Sequence, residues 1–283
     1  MKHAAKPYRW FLQEREWELG DFIMVTPLLR ALHTAWGHKV PVYFETAYVG
    51  NLFSSCYFID RLESRPTDTE PFWDTKSPRS LMRSMDDSDY LAHFNCGLPP
   101  YLRALYLFND FQPWCDPCTS ETPEGYIPAK KPVAVFLGCL AERLLEDKSI
   151  HPRIVAKSLL ALIARDCTPV LLGSESDHRL WKPVFRELAY PVSLNMVNLI
   201  GKLTIRQSVA VLSHCEGFIS NDTGLYHVAA ALHLKGIVLW NTTCFERNKC
   251  PSLSVTHSRH PLAHFSDVQH WINALPCNQF QTT

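Results

Sequence analysis

The chain has 283 residues, of which 46% are hydrophobic and 12% aromatic, enough for one large domain or two of ordinary size. Its 28 basic and 28 acidic residues cancel, so net charge gives no support for a nucleic-acid or anionic-membrane partner. The amino terminus lacks the apolar run of a secretory signal, and no segment approaches the roughly 18 apolar residues of a membrane helix, so we expect a cytoplasmic protein.

Four strands and one helix are predicted in the amino-terminal half. Apolar, β-rich runs indicate strands near residues 8–13, 40–46, 57–62 and 90–95. Thr26 is a typical helix N-cap residue and Pro27 suits the first helical position, so we expect the helix to begin there. The preceding Leu19-Gly20-Asp21 would then lie in the loop between the first strand and this helix.

A regular alternation of strands and helices fills the carboxyl-terminal half. Strands are predicted near residues 132–138, 168–173, 217–220 and 236–240, and helices near 154–165, 178–189, 205–214 and 224–233. Thr204 and Gln207 have the spacing of a capping box at the start of the third of these helices. Such alternation predicts a parallel sheet with helices on both faces.

A proline-rich and polar segment without periodicity separates the two halves at residues 109–132 and indicates a linker. We therefore predict an α/β fold with two domains, over residues 1–128 and 129–283, and a crevice between them.

The segment SNDTGLYH, residues 220–227, follows a predicted buried strand and opens a helix. Ligands of parallel α/β sheets collect at the carboxyl ends of strands, and first-turn N–H groups of helices bind anions. Asn221, Asp222, Thr223 and Gly224 would then line a pyrophosphate site, with Thr223 donating to phosphate and Asp222 accepting from sugar hydroxyls. The alternative is that Asp222 or Thr223 only caps the helix and that His227 packs against the sheet.

Further polar residues follow other predicted strands. Asp21 could act as a general base that deprotonates an acceptor hydroxyl, or it could be an acid favoured by the helix dipole. Lys148, with Arg143 as a weaker candidate, could reach phosphates, although a loop lysine is more commonly just solvated. Glu175 or Asp177 could hold a ribose or sugar hydroxyl, or be an ordinary loop acid.

Four sequence blocks resemble a known family when they are taken in order. GDFIMVTPLLRAL, the lysine before HP, VLLGSESD, and NLIGKLTIRQSVAVLSHCEGFISNDTGLYHVAAAL resemble glycosyltransferase family 9, the ADP-heptose:lipopolysaccharide heptosyltransferase family. The resemblance extends from about Tyr8 to Trp240, and the last block is its most specific part. It implies a GT-B fold, in which two Rossmann-like domains face a central cleft, with the acceptor on the first and the nucleotide-sugar on the second.

The resemblance also implies an activity. The family's members are inverting glycosyltransferases that use a nucleotide-sugar, here expected to be ADP-heptose, without a catalytic metal or other cofactor. It implies Asp21 as the base, Lys148 as the group that neutralises donor phosphate, and donor binding by Asp177, Asp222, Thr223, Gly224 and His227. The acceptor stays open among glycan, lipid-linked and protein groups and a modified nucleic acid, of which the neutral net charge mildly disfavours the last. The alternative from another class is a non-catalytic GT-B protein that binds a nucleotide-sugar or serves as an assembly subunit.

Two motifs weakly indicate a metal. Cys115 and Cys118 have the spacing of a zinc knuckle, but the sequence offers no second pair of that kind. The acids at 86–89, DDSD, contain the Asp-x-Asp of manganese-dependent GT-A enzymes, but they precede an apolar run instead of ending a strand. Because the first motif lacks further ligands and the second is misplaced, we expect no metal site. The ten cysteines are scattered, which predicts reduced thiols.

Overall fold

The computed structural model describes residues 10–14, 19–67, 70–73, 113–125, 130–138, 148–188, 195–242, 245, 249–250 and 254–275. The chain separates into two compact units, Met1–Asp116 and Pro117–Thr283. The strand expected near 90–95 lies outside the described residues. Within the described residues, no helix is both long enough and apolar enough to cross a membrane.

The first unit contains a parallel sheet with helices between its strands. Its elements are β1 (Trp10–Glu14), α1 (Leu19–Trp36), β2 (Val40–Phe44), α2 (Ala47–Asn51), β3 (Ile59–Leu62) and β4 (Glu70–Trp73). The strands lie in the order β3-β2-β1-β4, and each neighbouring pair is parallel. Three of these strands were predicted, whereas β4 was not, because its Glu-Pro start is atypical of a strand.

Helix α1 begins earlier than the sequence predicted, and the expected start at Thr26 is wrong. The helix runs from Leu19, so Pro27 lies inside it and Asp21 is its third residue. Pro27 has no N–H to donate to the carbonyl of Ile23, one turn earlier. The buried hydroxyl of Thr26 donates to that carbonyl at 2.6 Å instead, which explains how the helix continues through a proline.

Aromatic side chains form the core of the first unit. The ring of Phe22 lies 4.9 Å from that of Phe44 and 4.6 Å from that of Phe53, measured between centroids. The rings of Phe58 and Trp114 meet edge to face at 5.6 Å. Because Phe22 belongs to α1 and Phe44 to β2, this cluster fixes the helix against the sheet.

The second unit is a doubly wound sheet. Its elements are β5 (Pro132–Phe136), α3 (Pro152–Ala164), β6 (Thr168–Leu172), α4 (His178–Glu187), β7 (Val197–Asn198), α5 (Ile205–Ser213), β8 (Gly217–Asn221), α6 (Gly224–Ala231), β9 (Gly236–Leu239), β10 (Val255–Ser258) and α7 (His264–Asn273). The strand order is β10-β9-β8-β5-β6-β7, all parallel. Numbered from β5, this is the 3-2-1-4-5-6 order of dinucleotide-binding folds, and the order reverses between β5 and β8.

The predicted elements of this unit agree with the structure to within a few residues. Every residue of β5, β8 and β9 is buried, as expected for strands covered on both faces. The capping box is confirmed, because Thr204 and Gln207 exchange hydrogen bonds of 3.0 and 3.2 Å. The short β7, the edge strand β10 and the helix α7 were not predicted.

The expected linker is divided between the two units: Trp114 packs in the core of the first unit, whereas described residues after Pro117 contact the second. Residues Thr119–Glu121 form a 3-10 turn. Glu121 pairs with Arg206 of α5 at 2.5 Å, and the Thr122 hydroxyl lies 3.2 Å from Nε2 of His214. Glu121 and Thr122 are therefore held to this unit by side-chain contacts.

Candidate functional site

The carboxyl ends of β5 and β8 bring the polar residues of the second unit together. Gly138 follows β5, and Asn221 is the last residue of β8. Asp222 and Thr223 connect β8 to α6, and Thr223 is the N-cap of that helix. These strands are the pair at which the order of the sheet reverses, where ligands of doubly wound folds bind.

A buried ion pair lies at this edge. Nζ of Lys148 is 3.2 Å from Oδ2 of Asp222, and both side chains are less than a tenth exposed. Buried lysines and aspartates are rarely found unless they are paired, because isolated charges are costly to remove from water. The sequence prediction brought these two residues to one edge, and the structure joins them directly.

His227 completes this group from the first turns of α6. Its Nε2 lies 3.9 Å from Oδ1 of Asp222. Burial lowers the pKa of His227 to about 4; the charge of Asp222 opposes this shift and that of Lys148 adds to it. The imidazole is therefore uncharged at neutral pH, so its contact with Asp222 is not an ion pair. Its Nδ1 is buried and has no hydrogen-bond partner among the described residues.

Asn221 connects the ends of two strands through its carboxamide. Its Nδ2 donates to the carbonyls of Gly138 at 3.1 Å and Lys148 at 2.8 Å, and its Oδ1 accepts from the N–H of Gly138 at 3.2 Å. Asn241, just after β9, donates to the carbonyl of Ser149 at 3.1 Å. Side chains from the ends of neighbouring strands thus hold the backbone at Lys148 and Ser149.

The N-terminus of α6 combines capping with close packing. The Oγ1 of Thr223 accepts from the N–H of Tyr226 at 3.4 Å, which leaves the hydroxyl proton of Thr223 to donate elsewhere. A Cβ at position 138 would lie 3.2 Å from Cγ2 of Thr223, so Gly138 permits the two loops to approach. Gly224 begins the helix and presents first-turn N–H groups of the kind that bind anions.

The two acids after β6 differ in exposure. Asp177 is buried, and its Oδ2 accepts from the N–H and hydroxyl of Ser174 at 2.7 and 2.8 Å, so it closes a capping box. Glu175 is exposed and lies 3.6 Å from Nε2 of His178. Of the two acids named from the sequence, Glu175 is the one whose side chain solvent reaches.

Two other candidate residues were named from the sequence, Asp21 and Arg143. Asp21 lies in the first turn of α1, in the first unit, and not in the loop that the sequence predicted. Arg143 lies outside the described residues. The carboxyl edge of the second unit therefore unites Lys148 with residues 221–227, while Asp21 comes from the other unit.

The described cysteine side chains show thiols rather than disulfides. The buried thiols are those of Cys56, Cys115, Cys118, Cys167, Cys215 and Cys250. Burial raises the pKa of the Cys56 thiol to about 11 and that of Cys215 to about 12, so both are protonated and unreactive at neutral pH. Among the described residues, no group of three or more histidine, cysteine or acidic side chains could hold a metal. The acids at 86–89 lie outside those residues.

Sequence reasoning missed two contributors to this edge. Gly138 was taken as the end of a strand, and Asn241 was not considered. A glycine directly after a buried strand is a signal of close backbone approach at a ligand-binding edge, so Gly138 could have been found. Asn241 offered no such signal, because its role depends on the position of Ser149.

Comparison with known sequences points to one family. The profile of glycosyltransferase family 9 (heptosyltransferase) matches residues 113–270, more than half of the chain. This range contains Lys148, Asp177 and residues 221–227 but not Asp21. The chain is 31% identical over 88 residues to lipooligosaccharide heptosyltransferase 2 of Haemophilus influenzae, which covers 31% of this chain and 25% of the relative. The match thus spans about a quarter of the length of that curated relative.

Solved structures resemble the whole fold. ADP-heptose LPS heptosyltransferase II of E. coli superposes with a TM-score of 0.64 at 17% identity, covering 94% of this chain and 100% of that one. The iron-containing dodecameric glycosyltransferase TibC of enterotoxigenic E. coli H10407 superposes at 0.55 and 14% identity, covering 89% and 63%. At these identities the likeness concerns the fold, and it confirms the predicted α/β fold of GT-B type.

Proposed function

Because the chain belongs to glycosyltransferase family 9, we propose that it is an inverting, metal-independent glycosyltransferase that moves heptose from ADP-heptose to an acceptor hydroxyl. One observation supports this most directly: the buried Lys148–Asp222 pair lies where β8 opens into α6, at the switch point of the second unit. A departing nucleoside diphosphate needs positive charge at such a place.

The diphosphate is bound by two sources of positive charge. The first-turn N–H groups of α6 and its macrodipole attract the phosphates, and the hydroxyl of Thr223 donates to a phosphate oxygen. Lys148 supplies a full charge beside them. An ammonium has three N–H donors, so the ion pair with Asp222 is compatible with a further contact to phosphate. Asp222 fixes the ammonium and accepts from a sugar hydroxyl, and His227 lies beside both.

The transfer itself is a single displacement. Asp21 takes the proton of the acceptor hydroxyl, and the resulting oxygen attacks the anomeric carbon of the donor sugar. The bond from that carbon to the diphosphate oxygen breaks, and its electron pair leaves with ADP. Attack from the side opposite the leaving group inverts the anomeric configuration. The assignment of Asp21 rests on its motif in the first turn of α1.

The choice of donor, acceptor and cofactor follows from the same site and from the family. The E. coli structural neighbour is an ADP-heptose LPS heptosyltransferase, which supports ADP-heptose as donor and a lipopolysaccharide or other glycan as acceptor. Lys148 and the helix terminus supply the charge that a divalent cation provides in GT-A enzymes, which supports a metal-free mechanism. The neighbour TibC contains iron, so the metal content of this protein has to be measured.

A donor panel tests the proposal. Thermal unfolding is followed with ADP-heptose, UDP-sugars and GDP-sugars, each at saturating concentration. A ligand at 100 times its dissociation constant adds roughly 2.7 kcal/mol to the free energy of unfolding. We expect a shift with ADP-heptose alone, and a shift with UDP- or GDP-sugars only would contradict the donor assignment.

A transfer assay tests the chemistry. We expect ADP release to require an acceptor and to persist in EDTA, with inverted configuration in the product. Loss of activity on chelation, restored by a divalent cation, would contradict the metal-free mechanism. Donor binding without transfer to any glycan, lipid-linked or protein acceptor would favour the non-catalytic alternative.

A further inference from the structure

Both N–H donors of the Asn221 side chain form hydrogen bonds within the protein. A carboxamide nitrogen has two N–H donors, and those of Asn221 go to the carbonyls of Gly138 and Lys148. Its Oδ1 accepts from the N–H of Gly138. The residue is 1% exposed, so these contacts are sheltered from water. Asn221 is thus linked to the site through the backbone of other residues.

The residues that Asn221 holds lie on either side of residues 139–147. Gly138 follows β5, and Lys148 lies at the same carboxyl edge of the sheet. The side chain of Asn221 contacts the backbone of both residues, so it fixes the position of Lys148 relative to the end of β5. Asn241 strengthens this position by donating to the next carbonyl, that of Ser149, at 3.1 Å.

We propose that Asn221 is a positioning residue for donor binding: by holding the carbonyl of Lys148 it sets where the Lys148 ammonium meets the diphosphate. This inference rests on the proposed function, because it assumes that Lys148 binds the donor. A lysine side chain has four rotatable bonds, so its charge is useful at a fixed place only if its backbone is fixed. Asn221 fixes the backbone of Lys148 from the end of β8. Oδ2 of Asp222, the next residue, lies 3.2 Å from Nζ of Lys148.

A double-mutant cycle tests the inference, with ADP as the probe and titration calorimetry as the measurement. The proteins are wild type, Asn221→Ala, Lys148→Met and the double variant. We expect Asn221→Ala to weaken ADP binding by about three- to tenfold, as for loss of ordinary hydrogen bonds. In the Lys148→Met background the same change should alter affinity less than twofold, because a residue that acts through Lys148 has nothing left to position.

Two further variants separate positioning from general stability. Asn198→Ala is the matched control, because Oδ1 of Asn198 accepts from the N–H of Ile200 at 3.1 Å in the same unit. Asn198 lies on the edge strand β7, which β5 and β6 separate from β8. Asn198→Ala should lower the melting temperature without changing ADP affinity. Asn241→Ala should weaken ADP binding in the same direction as Asn221→Ala but less. If Asn221→Ala does not fold, Asn221→Ser enters the cycle in its place.

The outcomes distinguish this inference from the function on which it rests. If Lys148→Met binds ADP like wild type, the proposed phosphate role of Lys148 fails and the positioning role fails with it. Suppose instead that Lys148→Met weakens ADP binding. If Asn221→Ala then has no effect in the wild-type background, or has the same effect in both backgrounds, only the positioning role is overturned. Loss of the Asn221 effect in the Lys148→Met background supports it.

Discussion

Two strand-to-helix junctions, β1–α1 in the first unit and β8–α6 in the second, look alike in sequence and differ in structure. Each has an acid and a glycine between a predicted strand and a helix. At β8–α6 the acid, Asp222, precedes the N-cap Thr223, and the helix begins at Gly224. At β1–α1 the helix begins at Leu19, so Asp21 is already inside it.

The difference shows what an acid at such a junction can do. Asp222 lies ahead of its helix, at the edge of the sheet, where it pairs with Lys148 and approaches His227. Lys148 comes from the segment between β5 and α3, and His227 comes from α6, so this junction brings together side chains from two connections of the sheet. Asp21 is in the first turn of α1, a position at which acids are favoured in helices generally. The structure therefore brings the proposed donor residues together, and the proposed base is best examined by mutation.

The largest expected effect is a loss of turnover on substitution of Asp21, at the β1–α1 junction. Asp21→Asn keeps the shape of the side chain but cannot accept a proton. General-base assistance typically contributes 10²- to 10⁴-fold in rate, so turnover should fall by about that much. Donor affinity should stay near the wild-type value, because the proposed donor residues belong to the second unit.

Steady-state kinetics and ADP titration measure both quantities. Asn221→Ala serves as the contrasting variant, since it should change affinity. Normal turnover in Asp21→Asn would leave Asp21 as a helix-start acid, and a variant that mainly unfolds would argue for a structural role.

The second prediction concerns the stability and donor affinity of a Lys148 variant at the β8–α6 junction. Lys148→Met leaves the charge of Asp222 buried without its partner, and breaking a buried pair costs about 3–5 kcal/mol of stability. Loss of a charge-assisted hydrogen bond should also weaken donor binding about ten- to a hundredfold. Denaturant unfolding and ADP titration report the two effects.

The control is an ion pair of the same unit that is exposed. Lys130 and Asp166 are 3.2 Å apart and 70% exposed, so Lys130→Met should cost less than about 1 kcal/mol and leave ADP binding unchanged. Lys148→Met/Asp222→Asn removes both buried charges and should regain stability but not affinity. Equal costs for the buried and exposed pairs would contradict this account.

The third prediction concerns pH and His227. The pKa of His227 is about 4 in the folded protein and about 6.5 in the unfolded chain. As pH falls from 6.5 to 4, the unfolded chain binds a proton that the folded chain does not. The stability that depends on this difference is therefore full above pH 6.5 and is lost through this window, by at most roughly 3 kcal/mol.

His227→Gln isolates this effect, because His257 also has its pKa lowered to about 4 by burial and by the charges of Lys249 and Arg259. As pH falls from 7 to 4, the free energy of unfolding of wild type should decrease relative to that of His227→Gln. A constant difference would show that His227 titrates normally.

The smallest expected effect concerns the N-terminus of α6, which is either an ordinary capped terminus or one that also binds a ligand. Thr204→Ala removes the capping box of α5 and should cost about 1 kcal/mol of stability without changing ADP affinity. Thr223→Ala removes the cap of α6 at similar cost but should also weaken ADP binding several-fold. If both variants changed only stability, the α6 terminus would be an ordinary cap.

The alternating α/β architecture and the local geometry of the second unit are predictable from the sequence alone. The buried strands β5, β8 and β9 are short apolar runs, and a chain that must bury both faces of a strand has little other choice of residue. The capping box of α5 and the N-cap at Thr223 are equally local, because each involves residues three apart. These features could be read in advance because their partners are neighbours in the chain.

Contacts between residues that are distant in the chain could be identified only in the folded protein. Asn221 meets Lys148 across 73 residues, so its positioning role is invisible in the SNDTG motif. The start of α1 was misjudged for a similar reason. Thr26 resembles an N-cap locally, but its hydroxyl donates to Ile23 and accepts the N–H of Trp114, 88 residues away. Hydrogen bonds of this kind are satisfied only after the chain has folded, so no local pattern records which partner each group will find.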